Sequence, residues 1–361
     1  MAARPSGVIA DPLPRGRQRC RPEAFFERTL ARYRTLTTRA LLDFIPRGGP
    51  PYLYELVSSY PRRGGKGLRA ALCLATCGAL GGSEQQSLNS AVAIELFHNA
   101  FLLHDDVQDG SLARRGGATL YREHGVGIAV NVGNATSLLA LQRVVHNRSI
   151  LGPETSWLLV RETERMMRHS LEGQAIELGW IRDNVCRLEP HDYLHMCLKK
   201  TAWYSFIYPL RAGALVANGA LEDTNRFCRF GWYVGAAFQV RDDVLNLTGK
   251  YARYGKEIGG DLWEGKRTLM LIHLLGRCAV AERRQLQRFL AKPRFRRTTA
   301  EVGWVYDLME RYGSIDFARG AARQLAGAAL IEALTAFRGV PDSEYKRFIL
   351  EMVLYVVRRD R

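Results

Sequence analysis

The sequence predicts an all-α protein. Three observations point there. Apolar residues recur at helical spacing along most of the 361 residues, strand signals are weak, and Gly/Pro clusters punctuate the pattern. The third is a pair of stretches with one design. Ile94, His98, Phe101, Asp105 and Asp109 share one helix face, as do Phe227, Phe230, Val234, Phe238, Asp242 and Asn246. Each face is apolar along most of its length and polar or acidic at its end.

Composition narrows the function classes. The chain is 47% hydrophobic and 24% charged, as in soluble globular proteins. No change in composition separates residue 23 from the end, so a single domain is expected over 23–361. Residues 1–22 are Arg/Pro-rich with one acid, Asp11, and read as a disordered basic tail without the apolar centre of a signal peptide. The net charge of +16 is compatible with anionic ligands. The cations are mostly scattered pairs, and no zinc finger, RNP-type aromatic motif or basic heptad region is present, so nucleic acid is not the expected partner. Seven cysteines without CxxC spacing argue against disulfide or zinc frameworks and for a reducing compartment, the cytoplasm. No apolar run reaches the roughly 20 residues of a membrane span.

Along the chain, residues 23–46 form an amphipathic helix that the RGGPP of 47–51 ends, and a short helix follows to Tyr60. In PRRGGKGLR (61–69), Lys66 and Arg69 stand three apart near a helix start. Free amides and the helix dipole favour an anion there, so the pair can form a diphosphate cradle, although for such a pair alone a basic first turn without a ligand is the commoner case. Residues 90–108 carry the first acidic cluster, which continues as HDDVQDGSLARRG (104–116). Carboxylates one turn apart suit a hard cation, and the adjacent Arg114 and Arg115 suit phosphate. Residues 114–119 are expected as a loop and 121–140 as a buried helix. Gly152 and Pro153 should separate it from a long helix over 154–178, in which His169 reads as a core histidine. A helix over 191–218 carries Lys199, Lys200 and Thr201 among apolar residues, where cations are costly unless they meet an anion or water, and Pro209 should kink it. The second acidic helix spans 222–247. The Gly/Lys-rich stretch after it, with Lys256, Asp261 and Lys266, suits a lid over phosphate. The rest reads as helices without a chemical cluster.

These motifs, in order GGKGLR, HDDVQDGSLARRG, KT, FQVRDD and GKEIGGDLWEGKRTL, make the chain resemble the trans-isoprenyl diphosphate synthases, the polyprenyl synthetase family, from about Gly64 to His273. The resemblance implies a helical bundle around a deep central cavity, usually homodimeric. It implies a magnesium-dependent prenyltransferase joining isopentenyl diphosphate to an allylic diphosphate. Asp105 and Asp109 would ligate two Mg²⁺ with Asp106 supporting them, and Asp242 a third with Asp243 beside it. Arg114, Lys200, Lys256 and Lys266 would grip the allylic diphosphate; Lys66, Arg69, His98 and Arg115 would bind isopentenyl diphosphate; Thr201 and Gln239 would line the cation path. Phe101, one turn below Asp105, would floor the cavity, while its neighbour Ala100 leaves space. That implies a geranylgeranyl (C20) or, next, a farnesyl (C15) product. The chain departs from the family at Asn246, where Asp is usual, so weaker metal support is expected there. A class I terpene cyclase and a non-catalytic partner subunit are the alternatives.

Overall fold

The computed structural model describes residues 22–249 and 259–358. Helix α1 (Pro22–Phe44) opens the chain, and the short helices Tyr54–Val57 and Ser59–Arg62 follow. Then come α2 (Leu68–Ala79), α3 (Glu84–Asp109), α4 (Val126–Val145), α5 (Arg148–Arg182), α6 (Pro190–Cys197), α7 (Tyr208–Asn218) and α8 (Cys228–Thr248). The later helices are α9 (Leu269–Arg277), α10 (Val280–Leu290), α11 (Thr299–Arg311), α12 (Ser314–Ala336) and α13 (Glu344–Arg358). The expected all-α class holds, with one small exception. Residues 114–119, expected as a loop, belong to a hairpin that pairs β1 (Ala113–Arg114) with β2 (Gly117–Ala118), Ala113 opposite Ala118. Its two turn residues, Arg115 and Gly116, have φ of 51° and 75°, the backbone a tight hairpin needs.

Three apolar clusters hold the bundle. One joins α1, α2, α8, α12 and α13 around Phe26, Phe230 and Phe348, with Phe26 stacked on Phe348 at 4.8 Å. A second joins α3, α4, α5 and α7 around Phe97, Leu139 and Tyr208. The third packs the lower half of α8 against α9 to α12. The helices bearing the acidic clusters, α3 and α8, share the first cluster through Ala91 but are otherwise anchored apart, most of α3 in the second and the C-terminal half of α8 in the third, and their acidic ends line one cavity.

Several elements differ from expectation for local reasons. Helix α3 starts at Glu84, not near Ser90, because Ser83 and Gln86 form a capping box. Helix α4 is half-buried rather than buried. Val132, Leu139 and Val144 face the core, while Val126, Val130, Leu138, Leu141 and Val145 share an exposed face. The expected kink at Pro209 is displaced. Leu198–Ile207 forms π-helical turns, and Pro209 sits in the first turn of α7, where a missing N–H is tolerated. Gly152, at φ 79°, breaks α5 before Pro153, as the sequence indicates.

The π segment is held by close approach. A side chain on Gly173 of α5 would lie 2.1 Å from the Lys200 backbone nitrogen. No residue with a Cβ lets α5 come this near, and the wide turns direct Lys200, Thr201 and Tyr204 to one cavity. His169 is not a core histidine. It is half-buried and stacks on Trp203 at 4.3 Å.

Candidate active site

A cavity of about 430 Å³ opens between α2, α3, α5, the π segment and α8. At its acidic end, Asp105 and Asp242 line the wall from α3 and α8. Asp105 lies 3.5 Å from Lys200 Nζ and 3.6 Å from Arg114 Nη2. Lys200 itself rests on Glu177.

The other acids sit behind the wall or are tied. Asp106 is 1% exposed: Tyr60 OH donates to Oδ2 at 2.6 Å and Arg114 Nε to Oδ1 at 2.8 Å. A carboxylate so enclosed holds Arg114 in place and turns away from the cavity. Asp109 accepts from Lys266 Nζ at 2.6 Å, and the lysine also meets Glu264 at 2.8 Å. Burial, reinforced by Asp105, pushes Asp109 up to about 7 against the pull of Lys266. Burial opposes the charge on Lys266, but Asp109 and Glu264 outweigh it and keep the ammonium above the ordinary lysine range. Asp243 accepts from Tyr193 OH and Gln239 Nε2, both at 2.7 Å, while Thr201 Oγ1 donates to Gln239 Oε1 at 2.7 Å. Burial pushes Asp243 up to about 7 despite the two donors.

A second basic group shares the cavity. Arg69 donates to Tyr204 OH at 2.9 Å and to Ser205 Oγ at 3.1 Å, and its Nη1 lies 3.4 Å from His98 Nε2. Lys66 also lines the wall, its Nζ 6.0 Å from the centre of the Tyr355 ring. Arg115 donates to Tyr60 O at 2.7 Å and Asn99 Oδ1 at 3.1 Å, which fixes its left-handed backbone. The apolar wall is aromatic. Phe101 meets Tyr204 edge to face with centroids 5.3 Å apart, and Phe97, buried behind the wall, stands 6.4 Å from Phe101. Ala100 is fully buried and is not part of this wall.

The structure therefore gathers Lys66, Arg69, His98, Asp105, Arg114, Arg115, Lys200, Thr201, Gln239, Asp242, Asp243 and Lys266 at one cavity. Lys256 lies outside the described residues. Sequence reasoning missed Tyr60, Glu177, Tyr193, Tyr204 and Glu264. Tyr204 was accessible, since it lies four residues after Lys200 on the same segment. Tyr60 and Tyr193 act through hydroxyls brought in from distant helices, and no local spacing marks them.

An ion fits this donor set. Among the described residues, no three His, Cys, Asp or Glu side chains form a cage able to hold a metal by themselves. Magnesium commonly takes one or two carboxylates and completes its shell with substrate phosphates and water. Asp105 and Asp242, brought to one cavity by two helices, with cations to hold the phosphates, match that arrangement.

The sequence profile of polyprenyl synthetases matches residues 50–309. A geranylgeranyl pyrophosphate synthase from Geoglobus acetivorans is 28% identical over 328 residues, covering 90% of this chain and 96% of its own. An octaprenyl diphosphate synthase from Haemophilus influenzae is 30% identical over 310 residues, covering 86% and 89%. A polyprenyl synthase from Caulobacter crescentus, crystallised with calcium and isoprenyl diphosphate, superposes with a TM-score of 0.83 at 26% identity, over 96% of this chain and 100% of that one. The chain belongs to the polyprenyl synthetase family and is an isoprenyl diphosphate synthase, a transferase.

Proposed function

We propose that the protein joins isopentenyl diphosphate to an allylic diphosphate and releases a C20 geranylgeranyl diphosphate. One observation carries the reading. The cavity is lined by more cations than one diphosphate needs, Lys200 and Lys266 with the acids Asp105 and Asp242, and also Lys66, Arg69 and Arg115 with His98, which supports two diphosphate subsites. A terpene cyclase binds one diphosphate and has no use for the second region. A non-catalytic subunit has no need of an intact first acidic cluster.

The first region takes the allylic diphosphate: Asp105 and Asp242, which line the cavity, would hold Mg²⁺, and Asp109 would join Asp105 in doing so once Lys266, now bonded to it, turns to the phosphate. When bound, the metal supplies Lewis acidity that stabilises the departing diphosphate. Lys200, Lys266 and Arg114 neutralise the charge that grows as the allylic C–O bond breaks. The second region orients isopentenyl diphosphate so that its double-bond electron pair forms the new C–C bond. A proton then passes to the departing diphosphate. Thr201 and Gln239 present oxygens along the path of the allylic cation, and the aromatic wall keeps water from quenching it. The exposed apolar face of α4 would be buried against a second copy, giving a homodimer.

Phe101 closes the hydrocarbon end. Its edge-to-face contact with Tyr204 makes a two-ring floor, which favours the shorter C15 product as the second reading. The deciding experiment is incubation of purified protein with Mg²⁺, isopentenyl diphosphate and each allylic starter in turn, with dephosphorylated products sized by chromatography. Growth by five-carbon units is the expected result. Hydrocarbon formed from an allylic diphosphate alone would establish a cyclase, and no turnover with any starter would leave the partner-subunit reading.

A further inference from the structure

Asn246 stands one turn past Asp242 on α8, where a carboxylate would extend the second acidic cluster. Its side chain is used for something else. Asn246 Oδ1 accepts the backbone N–H of Asp261 at 3.1 Å, and Asn246 O accepts the N–H of Gly259 at 2.7 Å. Asp261 lies in the first turn of the short helix Gly260–Glu264. That helix needs a cap from elsewhere. Its N-cap residue is Gly259, at φ 71°, which the left-handed backbone favours but which carries no side chain to accept an amide. Asn246 supplies the missing acceptor across the chain. Arg297 fixes the other end, donating to Leu262 O at 3.1 Å and Trp263 O at 2.5 Å. Three residues past the last of these anchors the chain delivers Lys266 to Asp109.

Asn246 is 6% exposed and, unlike Asp242 and Asp243, is not part of the cavity wall. An oxygen that already receives an N–H, buried and turned from the cavity, is poorly placed for a divalent ion. An amide also accepts without adding charge beside Asp242, Asp243 and Asp261.

We propose that Asn246 is a positioning residue for Lys266 and not a metal ligand: its amide oxygen caps the Gly260–Glu264 helix and so sets the lysine that faces the first acidic cluster. The role of Lys266 rests on the prenyl-transfer reading above; the cap itself does not.

The test compares wild type, Asn246→Leu, which removes the acceptor at similar volume, and Asn246→Asp, which keeps one. Hydrogen exchange of peptides covering residues 260–268 is followed in metal-free protein. Asn246→Leu should speed exchange about tenfold and Asn246→Asp leave it near wild type. Mn²⁺ titration in the presence of inorganic pyrophosphate should give affinities within about twofold for all three, whereas KM for the allylic diphosphate should rise about tenfold only in Asn246→Leu. Unchanged exchange in Asn246→Leu overturns the proposal. So does Mn²⁺ binding by Asn246→Asp tighter than wild type by about tenfold or more, a result that stands even if the Leu variant misfolds. Absence of prenyl transfer by wild type defeats the functional reading while leaving the exchange result intact.

Discussion

At the scale of single residues, the site separates carboxylates that look alike in sequence. Asp105 and Asp106 are adjacent, yet one faces the cavity and the other is enclosed by Tyr60 and Arg114. Asp105→Ala should therefore lower kcat by about two to three orders of magnitude with little change in folding, measured by incorporation of labelled isopentenyl diphosphate. Near-normal turnover would remove Asp105 from the metal assignment. Phe101→Ala should open the floor and shift products to longer chains. An unchanged chromatogram would show that the Phe101 ring does not set the length. Asp243 allows a prediction about pH. Its carboxyl is held near 7 by burial, above the roughly 3.9 of an unfolded aspartate. The folded state thus binds this proton more tightly, so the stabilisation is complete below pH ~4 and is lost as pH rises through ~7. In metal-free buffer, the thermal midpoint of wild type should fall across that window relative to Asp243→Asn. Parallel curves would refute it.

At the scale of elements, the π segment decides the layout. Ten residues wound in wider turns bring Lys200, Thr201 and Tyr204 to one cavity. Its close seat on α5 depends on Gly173. Glycine in a helix interior is ordinarily worse than alanine by about 1 kcal/mol, so Gly173→Ala would stabilise an isolated helix. Here the added methyl meets backbone, and a net destabilisation of about 1–3 kcal/mol is expected, with a raised KM for the allylic substrate as Lys200 shifts. Chemical denaturation measures the first and steady-state kinetics the second; a stabilised variant would contradict the packing argument. The first acidic helix was legible in sequence because its stripe follows the helical period. The π turns were not, since nothing in a one-dimensional apolar pattern marks a change in the number of residues per turn.

At the scale of the whole molecule, most of α3 is rooted in one apolar cluster and α8 in two others, and both helices line the cavity near their acidic ends. Helix α4 lies on the outside with Leu138 58% and Val126 55% exposed. Five large aliphatic side chains on one face suit burial against another copy. Leu138→Glu should shift the protein from dimer to monomer in light scattering coupled to size exclusion. A monomeric wild type would remove the dimer from the proposal.

Much of this protein is written in its local pattern. The helical period of the apolar residues gave the all-α class, and the order of the five motifs gave the family, because both depend on residues near one another in the chain. Local pattern marked the acidic stripes of Asp105 and Asp242 and the lysines near them, and the motif order, through the family resemblance, placed Lys200 and Lys266 in one site with them. The roles of near-identical groups came only from packing. Asp106 is a scaffold for Arg114, Asn246 an anchor for a distant loop, and half of α4 a surface. Each outcome turns on which atoms from remote segments arrive within about 3 Å, the reach of a hydrogen bond, and that is a property of the folded chain.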